Sequence, residues 1–236
     1  IHFVSGLPRS GSTLLCNILA QNPEIHTTPT SACHEALFAL RNNWNQWIEH
    51  RAASSLADEK NLQRVLNATL HAYHDTDRPV IIDKGRGWLS MIELAEFASG
   101  EKVKVIVPVR GIPQILASFE KLHRKTAHRR AHQGDYFQAQ TVEGRTNFLL
   151  DRSQVIGLAY NRLKDAMQRG LGDRLCLVEF DDLTHNPEGT LDDIYQFLGL
   201  PSYKHDFNNV EQYTFEDDAV HGLPLHSIRK EVKPIK

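Results

Sequence analysis

Phe3-Val4-Ser5-Gly6-Leu7-Pro8-Arg9-Ser10-Gly11-Ser12-Thr13-Leu14-Leu15 sets a glycine-flanked, hydroxyl-rich loop between two apolar runs. Backbone amides around Gly6 and Gly11, reinforced by the positive end of a helix starting near Ser12, suit an anion held between a strand and a helix. A Walker A loop needs a lysine after its second glycine to reach the β- and γ-phosphates. Ser12 stands there instead, and the loop's positive charge is Arg9. Pro8, Arg9, Ser10, Gly11, Ser12 and Thr13 therefore form a candidate phosphate cradle that fits a nucleoside triphosphate poorly. A second anion site is suggested by Val109-Arg110-Gly111-Ile112-Pro113, with Ser118 eight residues after the arginine. Arg110 offers a planar fork for phosphate oxygens, and Ser118, two turns into a helix opened by Pro113, adds a hydroxyl. Two anion sites on one sheet edge imply a ligand with phosphates at both ends.

The elements that must position these groups follow from periodicity. Residues 1–5 read as a short strand, and Leu14, Leu15, Ile18 and Leu19 fall at helical spacing over Thr13 to Gln21, where Asn22-Pro23 ends the run. Residues 79–83, 103–109 and 174–180 are β-branched runs that read as further strands. Helical stretches are expected over 32–49, about 57–74, 112–124 and 146–169. This alternation predicts a single α/β domain over residues 1–236, three-layered, with a mainly parallel central sheet. Ligands of such sheets sit at the carboxyl ends of the strands, where the loop after Ser5, Asp83-Lys84 and Arg110 would emerge together.

Bulk properties narrow the classes. The 236 residues are 41% hydrophobic and 24% charged, with a formal net charge of −2, which argues against a nucleic-acid binder driven by overall charge. The local basic run Lys121 to His132 carries five Lys or Arg and no acid; it reads as a lid, a site for an acidic acceptor, or a solvated helix end. Cys16, Cys33 and Cys176 cannot all pair and show no metal-ligand spacing, so they are expected to pack as small apolar residues in a reducing compartment. No stretch approaches the about 20 apolar residues of a membrane span, and no signal-peptide pattern is present. A soluble, cytoplasmic protein is the expectation. The chain opens inside a strand at Ile1, which leaves room for native residues ahead of it. The sequon Asn67-Ala68-Thr69 is read as a chance occurrence, and the histidines show no zinc-type cluster, so no metal is expected.

Taken together, these residues resemble the sulfotransferase family, whose donor, 3′-phosphoadenosine 5′-phosphosulfate (PAPS), has a phosphosulfate at one end and a ribose 3′-phosphate at the other. Leu7 to Thr13 is similar to the family's 5′-phosphosulfate loop, and Arg110 with Ser118 to its 3′-phosphate motif. Val178-Glu179-Phe180-Asp181-Asp182-Leu183, Asn186-Pro187-Glu188 and Phe197-Leu198-Gly199-Leu200-Pro201 resemble the following strand and helix in bacterial and tyrosylprotein-type members. Phe180 stands where relatives often have tyrosine, so a hydroxyl contact is lost there. The resemblance implies that Lys84 neutralises charge on the leaving phosphate, and that Arg229, in Ile228-Arg229-Lys230, folds over the 3′-phosphate. It also implies a nucleotide donor, PAPS, with 3′-phosphoadenosine 5′-phosphate (PAP) as product, and a hydroxyl or amine acceptor that is a carbohydrate, a peptide or a small molecule.

Several relatives place a basic carboxylate soon after the first helix, where this chain has Thr27-Thr28-Pro29-Thr30-Ser31. The nearest ionisable groups are His34 and Glu35, in the first turn of a helix that Ser31 could cap. Leu37, Leu40, Trp44 and Ile48 define the expected buried stripe, with His34 at its margin and Glu35 nearly opposite. His34 is favoured over Glu35 as base, with His26 and Asp83 as outside candidates. Two other readings stay open: a P-loop kinase using ATP and magnesium, against which the missing loop lysine counts, and a non-catalytic PAP- or PAPS-binding protein that has lost its base.

Overall fold

A computed structural model describes residues 1–53, 58–126, 140–221 and 226–234. Strands β1 (His2–Val4), β2 (Ile25–Thr30), β3 (Val80–Lys84), β4 (Val105–Val109) and β5 (Leu175–Glu179) form one sheet in the order β2-β3-β1-β4-β5, and every pairing is parallel. Side chains alternate between the faces as the two-residue period of a strand requires. Phe3, Val105 and Val107 enter one core, while Val4, Ile82 and Ile106 enter the other. Against the second face pack α1 (Ser12–Leu19), α9 (Phe180–His185) and α10 (Pro187–Leu198); against the first pack α2 (Cys33–Asn43), α4 (Glu59–Ala72), α5 (Ile92–Ser99) and α8 (Val155–Gln168). The expected three-layer α/β architecture is therefore present. Cys16 and Cys33 are buried, one in each core, and burial pushes their thiols up to about 11 and about 12. Asn67 of the sequon donates from its side chain to the Ala98 carbonyl at 3.0 Å.

Three local expectations are corrected. Thr27–Ser31, read only as an acid-free stretch, falls largely within an edge strand, Ile25–Thr30; Pro29, which lacks a donor, is tolerated at the edge, and the register shifts between Thr27 and Thr30. The helix expected over 32–49 gives way to a tight turn at Trp44–Gln46 and extended backbone at Trp47 before the short α3 (Ile48–Ala52). That turn changes the helical phase, so Trp44 is buried but Ile48 is 68% exposed rather than part of the buried stripe. The helix expected over 146–169 is two, α7 (Val142–Leu150) and α8. They are divided by Asp151, whose carboxylate accepts from both the Ser153 amide and hydroxyl, a turn that competes with the helix. The remaining long helix, α6 (Ile112–Thr126), opens as predicted after Arg110.

Beyond α10 the chain folds back as a strap. Val210 N–H donates to the Lys230 carbonyl at 2.7 Å and Val232 N–H to the Phe207 carbonyl at 2.9 Å, while the fully buried Val210 joins the α1 core. Asn17, on α1 and fully buried, holds the strap with both ends of its amide. Its oxygen accepts from the Tyr213 and Thr214 N–H groups, and its nitrogen donates to Thr214 Oγ1 at 2.9 Å. The strap then carries a short α11 (Asp218–His221).

Candidate active site

Strand β1 lies between β3 and β4, and the chain leaves these strands in opposite directions. After β1 it crosses one face through α1 to β2; after β4 it crosses the other through α6 and α8 to β5. The departing loops part at the carboxyl ends of β1 and β4, which is the switch-point crevice where open α/β sheets bind ligands.

Within that crevice the first loop adopts a conformation that aims its donors outward. Arg9 has φ +58°, a left-handed conformation costing about 1–2 kcal/mol for a residue with a Cβ. Gly11, at φ +87°, lies so close to Phe180 that a Cβ there would meet the ring at 2.7 Å. Ser10 Oγ bonds back to the Leu7 carbonyl and closes the turn. No acidic side chain occupies the first turn of α1, so its amides and positive dipole end are left for an external anion. Arg9 Nε donates to Ser118 Oγ at 3.2 Å, and Arg110 donates to the Arg9 carbonyl at 3.2 Å. The two anion motifs, a hundred residues apart in the chain, thus meet. The Arg110 guanidinium lies 4.2 Å over the Phe180 ring, so the residue read as a lost hydroxyl is the stacking platform for the second arginine. Burial, then the charge of Arg110, lowers the pKa of Arg9; burial also lowers that of Arg110, opposed by Asp181. Guanidinium groups do not give up their protons in proteins, so both arginines stay charged in the crevice.

Lys84 ends β3 beside the same loop. Its N–H donates to Thr28 Oγ1 at 2.8 Å, and its ammonium, in a side chain only 8% exposed, donates to Thr13 Oγ1 at 3.3 Å and to Glu216 Oε1 at 2.8 Å. Glu216 reaches the site from the strap. The same Oε1 also accepts from the Thr30 N–H and hydroxyl, both at 2.9 Å, and Oε2 lies 3.1 Å from His226 Nε2. His226 Nδ1 in turn contacts Asp218 Oδ1 at 2.7 Å. Burial pushes the Glu216 carboxyl up, but Lys84 and Thr30 more than offset it and hold it down at about 2. No local motif marks Glu216. It is brought to Lys84 across 132 residues, and the only signal for it was the missing acid in the Thr27–Ser31 stretch, which it now touches.

The expected base candidates sit in the first turn of α2. Glu35 is exposed, as predicted, with 63% of its side chain accessible. His34 is buried rather than marginal, packed against Gly85, Gly87 and Trp88; a Cβ on Gly87 would meet its ring at 2.1 Å. Burial lowers its pKa and keeps the imidazole neutral, with Glu35 and Asp83 opposing. Asp83 is fully buried and accepts from Trp88 Nε1 at 2.6 Å. Burial pushes its carboxyl up and pushes His74, 3.4 Å away, down to about 4, so both groups resist charge and the pair braces the core. His26 lies at the edge of that cluster, its ring 6.3 Å from that of His74. Arg229 is exposed on the strap. Of the basic run, Lys121, Arg124 and Lys125 lie on α6, while residues 127–132 fall outside the described residues. Among the described residues no helix is long and apolar enough to cross a membrane, and no cluster of three His, Cys, Asp or Glu could hold a metal ion.

Comparison with known proteins places the chain in a family. The profile of the sulfotransferase family matches residues 2–205, and the chain belongs to that family, whose members are PAPS-dependent enzymes. No individually curated protein matches the chain. Among solved structures it is similar to the sulfotransferase domain of the Synechococcus PCC 7002 olefin synthase, with 20% identity over 92% of this chain and 78% of that one and a TM-score of 0.53. It is also similar to the sulfotransferase domain of the curacin biosynthetic pathway, at 16% identity over 86% and 75% with a TM-score of 0.53. A third similar structure is a sulfotransferase from Alicyclobacillus acidocaldarius, at 17% over 87% and 83% with a TM-score of 0.52.

Proposed function

We propose that the chain transfers a sulfuryl group from PAPS to a hydroxyl or amine acceptor by in-line displacement. The observation that carries this reading is the meeting of Arg9, Arg110 and Ser118 in one crevice beside the acid-free start of α1. Two guanidinium groups and a helix terminus fit a ligand that is anionic at two places. When bound, PAPS supplies an activated sulfuryl group on a phosphate leaving group.

Pro8, Arg9, Ser10, Gly11, Ser12 and Thr13 form the cradle for the 5′ end, and Arg110 with Ser118 holds the 3′-phosphate. Stacking on Phe180 fixes the plane of the Arg110 fork before any ligand arrives, so less rotamer freedom is lost on binding. Lys84, already bonded to Thr13 of the cradle, stands where an ammonium offsets charge building on the leaving oxygen. Holding the reacting groups in line on elements anchored in the sheet supplies the orientation that a displacement needs. Of the two base candidates at the start of α2, His34 packs on Gly85 and Gly87 just after Lys84, and Glu35 faces solvent.

Calorimetric titration with PAP, without added metal, tests the reading. Binding that is lost when the 3′-phosphate is removed from the ligand supports it; equal binding of adenosine 5′-phosphate, or a preference for ATP with magnesium, would overturn it.

A further inference from the structure

The carboxylate missing after α1 is replaced from elsewhere in the chain. Glu216 is held against β2 by the N–H and hydroxyl of Thr30, within the very stretch that lacks an acid. Its side chain is 8% exposed, and it stands 2.8 Å from the lysine assigned to the leaving group. We propose that Glu216 is the general base of the transfer, taking the proton of the acceptor, with the Asp218–His226 pair behind it as its positioning partner. This rests on the donor reading above.

The alternative is a structural ion pair that fastens the strap. A buried pair roughly breaks even against its desolvation cost, and the strap is already fastened by Asn17, Val210 and Val232. A carboxylate buried beside a phosphate cradle repels an anionic ligand, so a purely structural fastening at this place would work against the binding that the cradle provides.

The step balances. The acceptor oxygen or nitrogen forms a bond to sulfur as the bond from sulfur to the bridging phosphate oxygen breaks. The electron pair of that bond leaves with PAP, and the acceptor proton goes to Glu216. Lys84 couples the halves. In the free protein it pairs with Glu216 and keeps the carboxylate ionised; as it turns to the leaving phosphate it releases Glu216, whose proton affinity then rises toward that of a useful base. Among the described residues, His226 on the strap and Cys16 on α1 act on Glu216, Asp218 pairs with His226, and the charge of Arg9 acts on Asp218.

Glu216→Gln keeps the shape and removes the proton acceptor. Its PAP affinity, read by calorimetry, is expected to equal or exceed that of the unaltered protein. Transfer from PAPS to phenol, and to water when no acceptor is added, is expected to fall by about 10²–10⁴ under single-turnover conditions. Carboxyl titration of ¹³C-glutamate-labelled protein, with Glu216 assigned by difference, is expected to show its midpoint rising when PAP saturates the site. Lys84→Met should raise the same midpoint with no PAP present, a readout that does not depend on turnover. A midpoint unmoved by PAP, transfer within threefold of the unaltered protein, or a tenfold loss of PAP affinity in Glu216→Gln would overturn the proposal. Failure of the unaltered protein to bind PAP would instead bring down the donor reading beneath it.

Discussion

Arg110 owes its usefulness to a neighbour with no polar atom. Phe180 supports the guanidinium face while the edge stays available, so each residue has a separable effect. Arg110→Ala is expected to weaken PAP binding at least tenfold, about 1.5–3 kcal/mol for a hydrogen bond to a charged group. Phe180→Ala should cost less, about 0.5–2 kcal/mol of the same affinity, because it removes the stack and leaves the charge. Calorimetry on both variants checks this, and equal losses would show that the ring does more than brace the arginine. Arg9, Arg110 and Ser118 were legible in the sequence because each belongs to a short motif at the end of a strand. Glu216 was not, since nothing within its own segment distinguishes it from any acid in an irregular stretch. His34 is more buried than its place at the margin of the stripe suggested, because its burial comes from the glycines after β3, a contact that the helical pattern of α2 cannot express.

At the scale of elements, the β-branched runs and the spacing of α1, α4 and α6 announced a parallel sheet and its covering layers. The edge strand β2, the short α5 and the breaks within two helices were missed. β2 escaped notice because Pro29 and four hydroxyl residues over 27–31 mask a strand that edge placement makes acceptable. The interruptions at Trp47 and Asp151 depend on an aromatic cluster and on a side-chain turn, neither of which alters the apolar period enough to be seen. The tight join between α2 and the segment after β3 gives a prediction of its own. Gly87→Ala would drive a methyl group into the His34 ring and should destabilise the protein by about 1–3 kcal/mol, a typical cost of overpacking. Urea unfolding measures it, and an unchanged midpoint at unchanged slope would show that His34 can yield. Because the strain falls behind Lys84 rather than in the cradle, PAP affinity of the folded fraction should hold.

For the whole molecule, the buried histidines set a direction with pH. His74 is held neutral down to about 4, chiefly by burial, whereas the unfolded chain takes up that proton near 6.5. The unfolded state therefore binds more protons between those values, and stability, fully present above about 6.5, falls as pH drops toward 4. His34 and His26 are shifted the same way, also by burial first. Glu216 acts lower: the stability from its contacts is present above its ordinary value of 4.5 and lost as pH falls toward about 2. Each such group adds a slope of at most about 1.4 kcal/mol per pH unit. Urea midpoints at pH 7.5, 5.5 and 4.5 should fall in that order, and a flat series would show that these imidazoles are solvated in the folded state. PAP is expected to recover part of the loss by binding only the native state.

The strap that closes on itself between Phe207 and Val232 gives the molecule a division of labour. The groups proposed to hold the phosphates are rooted in β1, β4 and α6, within the residues that the family profile matches, whereas Glu216 lies beyond them. The proposed proton acceptor therefore sits on a segment separate from the proposed cradle, so a substitution in the strap can alter the one without disturbing the sheet that carries the other.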